Sequence, residues 1–287
     1  MAGLFYAIMK TKHVIEHIVG WLKDYSDKSG TAGFVIGISG GIDSAVTSTL
    51  CALTGKQVML LEMPIYQAEG QVNRAREHIA WLKKNHSAVS DHQIELTSTF
   101  DSLLSALPKT EDAYLMNLSL ANTRARLRMT TLYYFAGIHR LLVAGTGNKV
   151  EDFGVGFYTK YGDGGVDLSP IADLLKTEVY EIAKELGVAE SIQKAAPTDG
   201  LWGDDRTDED QIGASYPELE WAMDFSEKWN PDEGQWKHEG ANWLLVGSEQ
   251  VLSERQRTVL EIYLRLNRAN QHKMRPIPVC EIPIDLK

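Results

Sequence analysis

Short apolar runs alternate with amphipathic helical patterns along the first two thirds of this chain, and this alternation constrains the fold more than any other feature. The run from Gly33 to Ile38 is typical of a buried parallel strand, and residues 12–28 place their apolar side chains on one helical stripe. Units in which a helix follows each strand build a parallel sheet that is covered on both faces. The sequence therefore predicts an α/β fold.

The same pattern predicts where the other elements lie. A helix around Val72 and Ile79 is expected, and residues 147–167, which are rich in glycine, are expected to form a loop. Further strands are expected at 57–63, 93–97 and 140–145, and further helices at 44–53, 111–138, 173–186 and 253–270.

The composition changes after Pro197. Residues 199–240 are rich in Asp, Glu, Gly and Trp, and they show no convincing strand pattern. We therefore expect one domain over residues 1–287, with an α/β core at about 12–197 and a lid and C-terminal helical segment at about 198–287.

Charge and cysteine content exclude several classes of protein. The 39 acidic residues outnumber the 29 basic ones, which disfavours a nucleic-acid partner because phosphate backbones attract basic surfaces. The two cysteines, Cys51 and Cys280, form no metal-binding or disulfide pattern. The longest stretch without Asp, Glu, Lys or Arg, 29–42, is too short to span a membrane, and no signal peptide is evident, so we expect no membrane partner and a cytoplasmic location.

The strongest chemical signal is the hexapeptide SGGIDS from Ser39 to Ser44, which lies between the first strand and a helix. Glycines there let backbone N–H groups approach a phosphate, and the helix N-terminus favours an anion. Asp43 would repel phosphate unless a cation lay between them, which suggests Mg²⁺. The alternative is a plain glycine turn in which Asp43 caps the helix.

The hexapeptide resembles the pyrophosphate loop of the N-type ATP pyrophosphatases, and further segments favour one family among them. They occur in the order typical of the NAD synthetase family, which the chain resembles from about residue 12 to residue 275. The segments are NTRARLR at 122–128, GTGN at 145–148 followed by Glu151, TKYGDGGVD at 159–167, Pro170 with Lys176, Pro197-Thr198, and His272-Lys273.

This resemblance implies a fold and an activity. The fold would be a Rossmann-like sheet of the adenine nucleotide alpha hydrolase type, in a homodimer. The activity would be a ligase reaction that converts deamido-NAD (nicotinic acid adenine dinucleotide) to NAD with ATP and free ammonia. An adenylylated intermediate would form, and AMP and pyrophosphate would leave. A glutamine-hydrolysing version would need a further amidotransferase domain, so ammonia is expected from solution or from a separate subunit.

The resemblance also implies site residues. Mg²⁺ would be held by Asp43 and Glu151, and the catalytic residues would be Asp43, Lys160 and Lys176. Deamido-NAD would contact Arg126, Lys160, Asp167, His272 and Lys273. ATP would contact Gly37, Ile38, Ser39, Gly40, Gly41, Ile42, Asp43, Ser44, Thr146, Lys176 and Thr198.

The positions of basic residues along the predicted helices indicate two further features. Lys176 begins a predicted helix, where the helix dipole disfavours a cation, and nearby phosphate oxygens would explain its position. Arg124 and Arg128 are four residues apart and share one helical face, which we expect to be solvated, whereas Arg126 points elsewhere.

Three features depart from the family pattern. Ile42 stands where Gln is usual, and the stretch from Glu151 to Lys160 is one residue longer than expected, which leaves the register of Gly154 and Gly156 open. Residues 224–250, which contain three tryptophans, have no counterpart.

Two other functions stay open. Another adenylating enzyme of the same superfamily, such as a tRNA-modifying one, would favour a basic surface and catalytic cysteines. A nucleotide sensor without turnover would bind ATP or NAD through the same loop.

Overall fold

The computed structural model describes residues 9–198, 207–228, 236–239, 242–245 and 252–287. Its centre is a four-stranded sheet in the order β3-β2-β1-β4, in which every pairing is parallel. Gly33 lies opposite Gln57 on one side and Leu141 on the other. The strands are β1 (Gly33–Gly37), β2 (Gln57–Glu62), β3 (Val89–Gln93) and β4 (Leu141–Val143).

Helices cover both faces of this sheet. Side chains alternate along β1, so that Phe34 and Ile36 belong to one buried cluster and Val35 to another. The predicted α/β class is therefore confirmed. The helices of this part are α1 (Thr11–Ser29), α2 (Ile42–Leu53), α3 (Glu69–Asn85), α4 (Thr97–Ser105), α5 (Ala113–His139), α6 (Lys176–Glu185) and α7 (Glu190–Gln193).

A third buried cluster, apart from the two on the faces of the sheet, joins the C-terminal helices to the rest of the chain. Val150 and Val155 pack with Leu219 and Val259, which belong to two of these helices. The C-terminal elements are α8 (Asp208–Ile212), α9 (Tyr216–Lys228), an antiparallel pair of strands, β5 (Trp236–Glu239) and β6 (Asn242–Leu245), and α10 (Glu254–Met274).

Two expectations about strands were wrong. The predicted strand at 93–97 lies instead at Val89–Gln93, and Thr97 begins α4. Since β3 is an edge strand in which only Val89 is buried, it lacks the apolar run of a central strand. Residues 199–240 were expected to contain no strand, but β5 lies there and pairs with β6. Within the tryptophan-bearing segment, Trp229 lies outside the described residues.

The predicted loop at 147–167 contains a π-helix, Val150–Val155. A π-turn holds one more residue than an α-turn. Gly154 lies within this helix and Gly156 ends it with φ +65°. A Cβ on Gly156 would lie 2.3 Å from Cβ of Asn270, so glycine is required where α10 packs on the end of the π-helix.

His78 is a buried histidine whose charge state links stability to pH. It bonds to Oγ of Ser48 at 2.9 Å and stacks on Trp81. Burial lowers the pKa of His78 from 6.5 to about 4. The imidazole of His78 is therefore protonated below about pH 6.5 in the unfolded chain but only below about pH 4 in the folded chain. Stability should be lost as pH falls through this interval.

We predict that His78→Gln reduces this acid sensitivity. Between pH 7 and pH 5 the wild type should lose about 2 kcal/mol more unfolding free energy than the variant. Urea unfolding at both pH values measures the difference, with His13→Gln on the exposed face of α1 as the control. Equal acid sensitivity of the wild type and both variants would show that His78 is not its source.

Candidate active site

The loop after β1 forms a compact turn that opens toward the carboxyl edge of the sheet. The Oγ atoms of Ser39 and Ser44 lie 3.1 Å apart, and Ser44 Oγ also donates to the carbonyl of Gly41 at 3.0 Å. Gly40 has φ +79°, and a Cβ there would lie 2.4 Å from the carbonyl oxygen of Gln71. Glycine is therefore required where α3 packs on the loop.

The carboxyl ends of β1, β2 and β4 surround one cavity of about 280 Å³. Parallel sheets of this class bind ligands at this edge. Arg74 and Arg128 also lie in its wall. Of the residues expected to contact ATP, all except Gly40 line it, namely Gly37, Ile38, Ser39, Gly41, Ile42, Asp43, Ser44, Thr146, Lys176 and Thr198.

Lys176 lies at the centre of the charged part of this cavity. Its Nζ is 2.6 Å from Oδ2 of Asp43 and 3.0 Å from Oε1 of Glu151, and the residue is only 2% exposed. As predicted, Lys176 begins a helix, α6, where the helix dipole disfavours a cation. The carboxylates of Asp43 and Glu151 offset the unfavourable interaction of this ammonium with the helix dipole.

Burial and ion pairing act against each other on these groups. Burial raises the pKa of Asp43, although Lys176 opposes the shift. Burial alone would raise the pKa of Glu151. Lys176 and the hydrogen bonds to the Glu151 carboxylate outweigh burial and hold this pKa below its usual range. Burial would lower the pKa of Lys176, but the two carboxylates hold it above its usual range. The lysine is therefore a fixed cation.

The donor set of Asp43 and Glu151 fits Mg²⁺. One oxygen of each carboxylate converges on a single cationic position, which is the ammonium of Lys176. Carboxylate oxygens are the protein ligands that Mg²⁺ prefers, usually one or two of them together with substrate phosphates. Asn148, which is fully buried, holds the pair, since its Nδ2 donates to Asp43 at 3.2 Å and its Oδ1 accepts from the N–H of Glu151 at 3.1 Å.

A further carboxyl at the cavity, Asp152, was missed by the sequence analysis. The π-helix carries it next to Glu151, and it lines the cavity together with Asp163. Burial, then the carboxylates of Glu151, Asp163 and Asp43, raise the pKa of Asp152 to about 8. The sequence predicts only a loop here, so the position of this side chain could not be inferred from it.

The residues expected to contact deamido-NAD fall into two groups. Arg126 donates from Nη2 to the carbonyl of Lys160 at 3.3 Å, and the ammonium of Lys160 donates to the carbonyl of His272. Lys273 donates to the carbonyls of Gly156 and Tyr158, at 2.7 and 2.8 Å. These four residues of the expected set therefore lie together.

Asp167 lies apart from them. It accepts from the hydroxyl of Tyr133 at 3.0 Å and from the N–H of Val143 at 2.8 Å. It lines a second cavity, of about 790 Å³, whose wall includes the aromatic rings of Trp21 and Tyr25. Neither Asp167 nor Asp163 forms an ion pair with Lys160 among the described residues.

The expectation that Arg124 and Arg128 are solvated was wrong. Arg128 is half-buried and donates to the carbonyl of Met63 at 3.0 Å and to Gln67 at 2.8 Å. Arg124 lies over the ring of Phe100, 5.0 Å from its centre. Arg126 is the exposed member of the three. The shared face of Arg124 and Arg128 packs against the segment that follows β2, a tertiary contact that helical spacing alone cannot reveal.

The aromatic residue at the centre of the site was also missed. Tyr216, the first residue of α9, donates its hydroxyl to Oε1 of Glu151 at 2.6 Å. Its ring covers Nζ of Lys176 at 4.7 Å from the ring centre. Nothing in the local sequence distinguishes it from an ordinary core tyrosine.

Comparison with known proteins decides the family. The sequence profile of the family described as NAD synthase matches residues 14–258. The chain belongs to the NAD synthase family. An NH(3)-dependent NAD(+) synthetase of Carboxydothermus hydrogenoformans is 36% identical over 271 residues, which cover 94% of this chain and 96% of that protein.

Solved structures of NAD synthases agree with the fold. The structure of an NMN synthetase from Francisella tularensis has a TM-score of 0.77 and 28% identity, and the match covers 96% of this chain and all of that one. An NH3-dependent NAD synthetase from Campylobacter jejuni has a TM-score of 0.71 and 26% identity, over 95% of this chain and all of that one. The predicted Rossmann-like architecture is confirmed.

We predict that Lys176→Met destabilises the ligand-free protein. Removal of the ammonium leaves two carboxylates facing each other in a buried site, which should cost about 3 kcal/mol of unfolding free energy. Urea unfolding measures this loss. Lys184→Met on the exposed side of α6 is the matched control and should change stability by less than about 0.5 kcal/mol. Similar values for the two variants would contradict the central role of Lys176.

Proposed function

We propose that this NAD synthase is an ammonia-dependent ligase that amidates deamido-NAD to NAD. The carboxylate of deamido-NAD would attack the α-phosphorus of ATP, and pyrophosphate would leave. Ammonia would then attack the acyl adenylate, so that a C–N bond forms, the bond to AMP breaks and a proton is released. The observation that carries this proposal is the ion cluster of Asp43, Lys176 and Glu151 beside the glycine loop, at the ligand-binding edge of the sheet.

The site contributes binding and electrostatics rather than covalent chemistry. Ser39, Ser44 and the loop N–H groups would hold the phosphates. Asp43 and Glu151 would hold Mg²⁺, which supplies neutralisation of the phosphate charge. Lys176 would stabilise charge on the leaving pyrophosphate, and Lys160 would orient the dinucleotide. These roles, the division into core and lid, and the cytoplasmic location stay predictions.

The proposal is tested by incubating the purified protein with ATP, Mg²⁺, ammonium and deamido-NAD. We expect equal amounts of NAD, AMP and pyrophosphate. Asp43→Asn should reduce turnover by about 100-fold because it removes a charged metal ligand. Asp27→Asn, an exposed carboxylate that pairs with Lys56 and lines neither cavity, is the control and should keep its rate. Binding of both nucleotides without pyrophosphate release would favour a nucleotide sensor.

A second candidate substrate is the deamido-mononucleotide, because a similar structure is that of an NMN synthetase. The second cavity bears on this choice. Its aromatic wall beside Asp167 is suited to stack a second base, which only a dinucleotide has. The same assay with nicotinic acid mononucleotide decides between the two. A higher kcat/KM for the mononucleotide would overturn the dinucleotide assignment.

We also propose that the protein is a homodimer through α5. This 27-residue helix buries only Ala121, Ala125 and Ala136 in the described chain. Large apolar side chains remain exposed along it at Tyr114, Leu115, Leu118, Tyr133, Tyr134 and Ile138. An exposed apolar face of this extent is typical of a protein interface, and a second copy fits the family expectation.

Tyr134→Glu tests the dimer. Tyr134 is 65% exposed in the single chain, so the change should leave the fold intact and place a charge in the interface. Light scattering should give the mass of two chains for the wild type and of one chain for the variant at micromolar concentration. Leu53→Glu, at the exposed end of α2, is the control and should remain dimeric. A monomeric wild type would refute the proposal.

A further inference from the structure

Tyr216 lies against the charged centre of the site although it comes from the C-terminal part of the chain. It is 3% exposed and contacts both Glu151 and Lys176, two residues to which the proposed function assigns roles. We propose that Tyr216 is a positioning residue, which holds the Glu151 carboxylate for the metal ion and the Lys176 ammonium for ATP. This inference rests on the proposed function.

The hydroxyl of Tyr216 acts on Glu151. It carries one proton, and two carboxylate oxygens are within reach, Oε1 of Glu151 at 2.6 Å and Oδ2 of Asp208 at 3.3 Å. Because hydrogen bonds to a carboxylate are short, the proton is given to Glu151. The same Oε1 also accepts from Lys176 at 3.0 Å. Two donors therefore fix one oxygen, and the carboxylate cannot rotate without losing both bonds.

The ring of Tyr216 acts on Lys176. The ammonium has the carboxylates of Asp43 and Glu151 as ionic partners, and the aromatic face lies 4.7 Å from it on a further side. A cation is attracted to the face of an aromatic ring, most strongly where water is excluded. The ring thus encloses the ammonium and restricts the rotamers of the lysine.

A second contact makes Tyr216 rigid. Glu220, one helical turn further along α9, is buried and accepts from both N and Oγ1 of Thr177, each at 2.9 Å. Its negative charge is also favourable at the N-terminus of α6. The start of α6 is therefore attached to α9 at Lys176, through Tyr216, and at Thr177, through Glu220. Contacts of this kind hold the side chains that support a metal-binding carboxylate.

Two substitutions separate the actions of the hydroxyl and the ring. Tyr216→Phe removes only the hydroxyl, so it should weaken metal binding about 10- to 100-fold. With saturating metal, its affinity for ATP should stay within about twofold of the wild type. Tyr216→Leu removes the ring as well and should also weaken ATP binding by about tenfold. Tyr180→Phe is the matched control, because Tyr180 lies on α6 one turn from Lys176 and makes no hydrogen bond among the described residues.

The measurement uses Mn²⁺ as a probe of the metal site. Free Mn²⁺ is followed by electron paramagnetic resonance while the full chain is titrated in the presence of ATP and the absence of deamido-NAD. A loss of affinity in Tyr216→Phe, with wild-type binding in Tyr180→Phe, supports the inference. Equal Mn²⁺ binding by Tyr216→Phe and wild type, or an equal loss in Tyr180→Phe, overturns it. Thermal unfolding confirms that each variant is folded.

This experiment is independent of the outcome of the proposed function. If the wild type binds Mn²⁺ and ATP but forms no NAD, the ligase proposal fails and the positioning role of Tyr216 is still decided by the titration. If NAD forms and Tyr216→Phe binds Mn²⁺ normally, only the positioning role fails.

Discussion

The ammonium of Lys176 between two carboxylates is the interaction on which the rest of the site depends. It joins the start of α2, the π-helix and the start of α6, which are far apart in sequence. A buried carboxylate without a partner is costly, so Asp43 and Glu151 need this cation as long as no metal ion is present. The fold therefore holds the two proposed metal ligands in an ion cluster, with the ammonium of the lysine as their counter-ion.

The cluster also explains how an acidic protein can bind two anionic substrates. Even around the phosphate loop, the acidic groups of the described cavity wall outnumber the basic ones. The basic groups are Arg74, Arg128 and Lys176. The acidic ones are Asp43, Glu62, Glu151, Asp163 and Asp208, with Asp152, whose pKa of about 8 favours its neutral form at pH 7, as a further carboxyl. A polyphosphate that enters alone would be repelled, whereas one that carries a divalent cation brings its own neutralising charge. The excess of acid selects for the metal complex of the nucleotide.

Much of this arrangement could be predicted from the sequence, because the decisive signals are local. The buried run of β1 and the glycines after it require a central strand followed by a tight turn, and the structure has both. Since the carboxyl ends of parallel strands share one edge, Thr146 after β4 had to lie near the loop after β1. The cavity lining bears this out.

The parts that could not be predicted depend on tertiary contacts. The edge strand β3 has only Val89 buried, so its pattern is too weak to fix its register. The π-helix has no periodic apolar pattern that would distinguish its sequence from that of a loop. Arg128 and Tyr216 reach the site only because α5 and α9 pack beside it, and neither position carries a local signature.

We expect the acidic site to admit ATP as its metal complex. Calorimetric titration of the wild-type protein with ATP, in excess Mg²⁺ and in EDTA at the same ionic strength, tests it most directly. We predict that removal of Mg²⁺ weakens ATP binding by about tenfold or more, equivalent to at least about 1.4 kcal/mol. Equal affinity under the two conditions would contradict it.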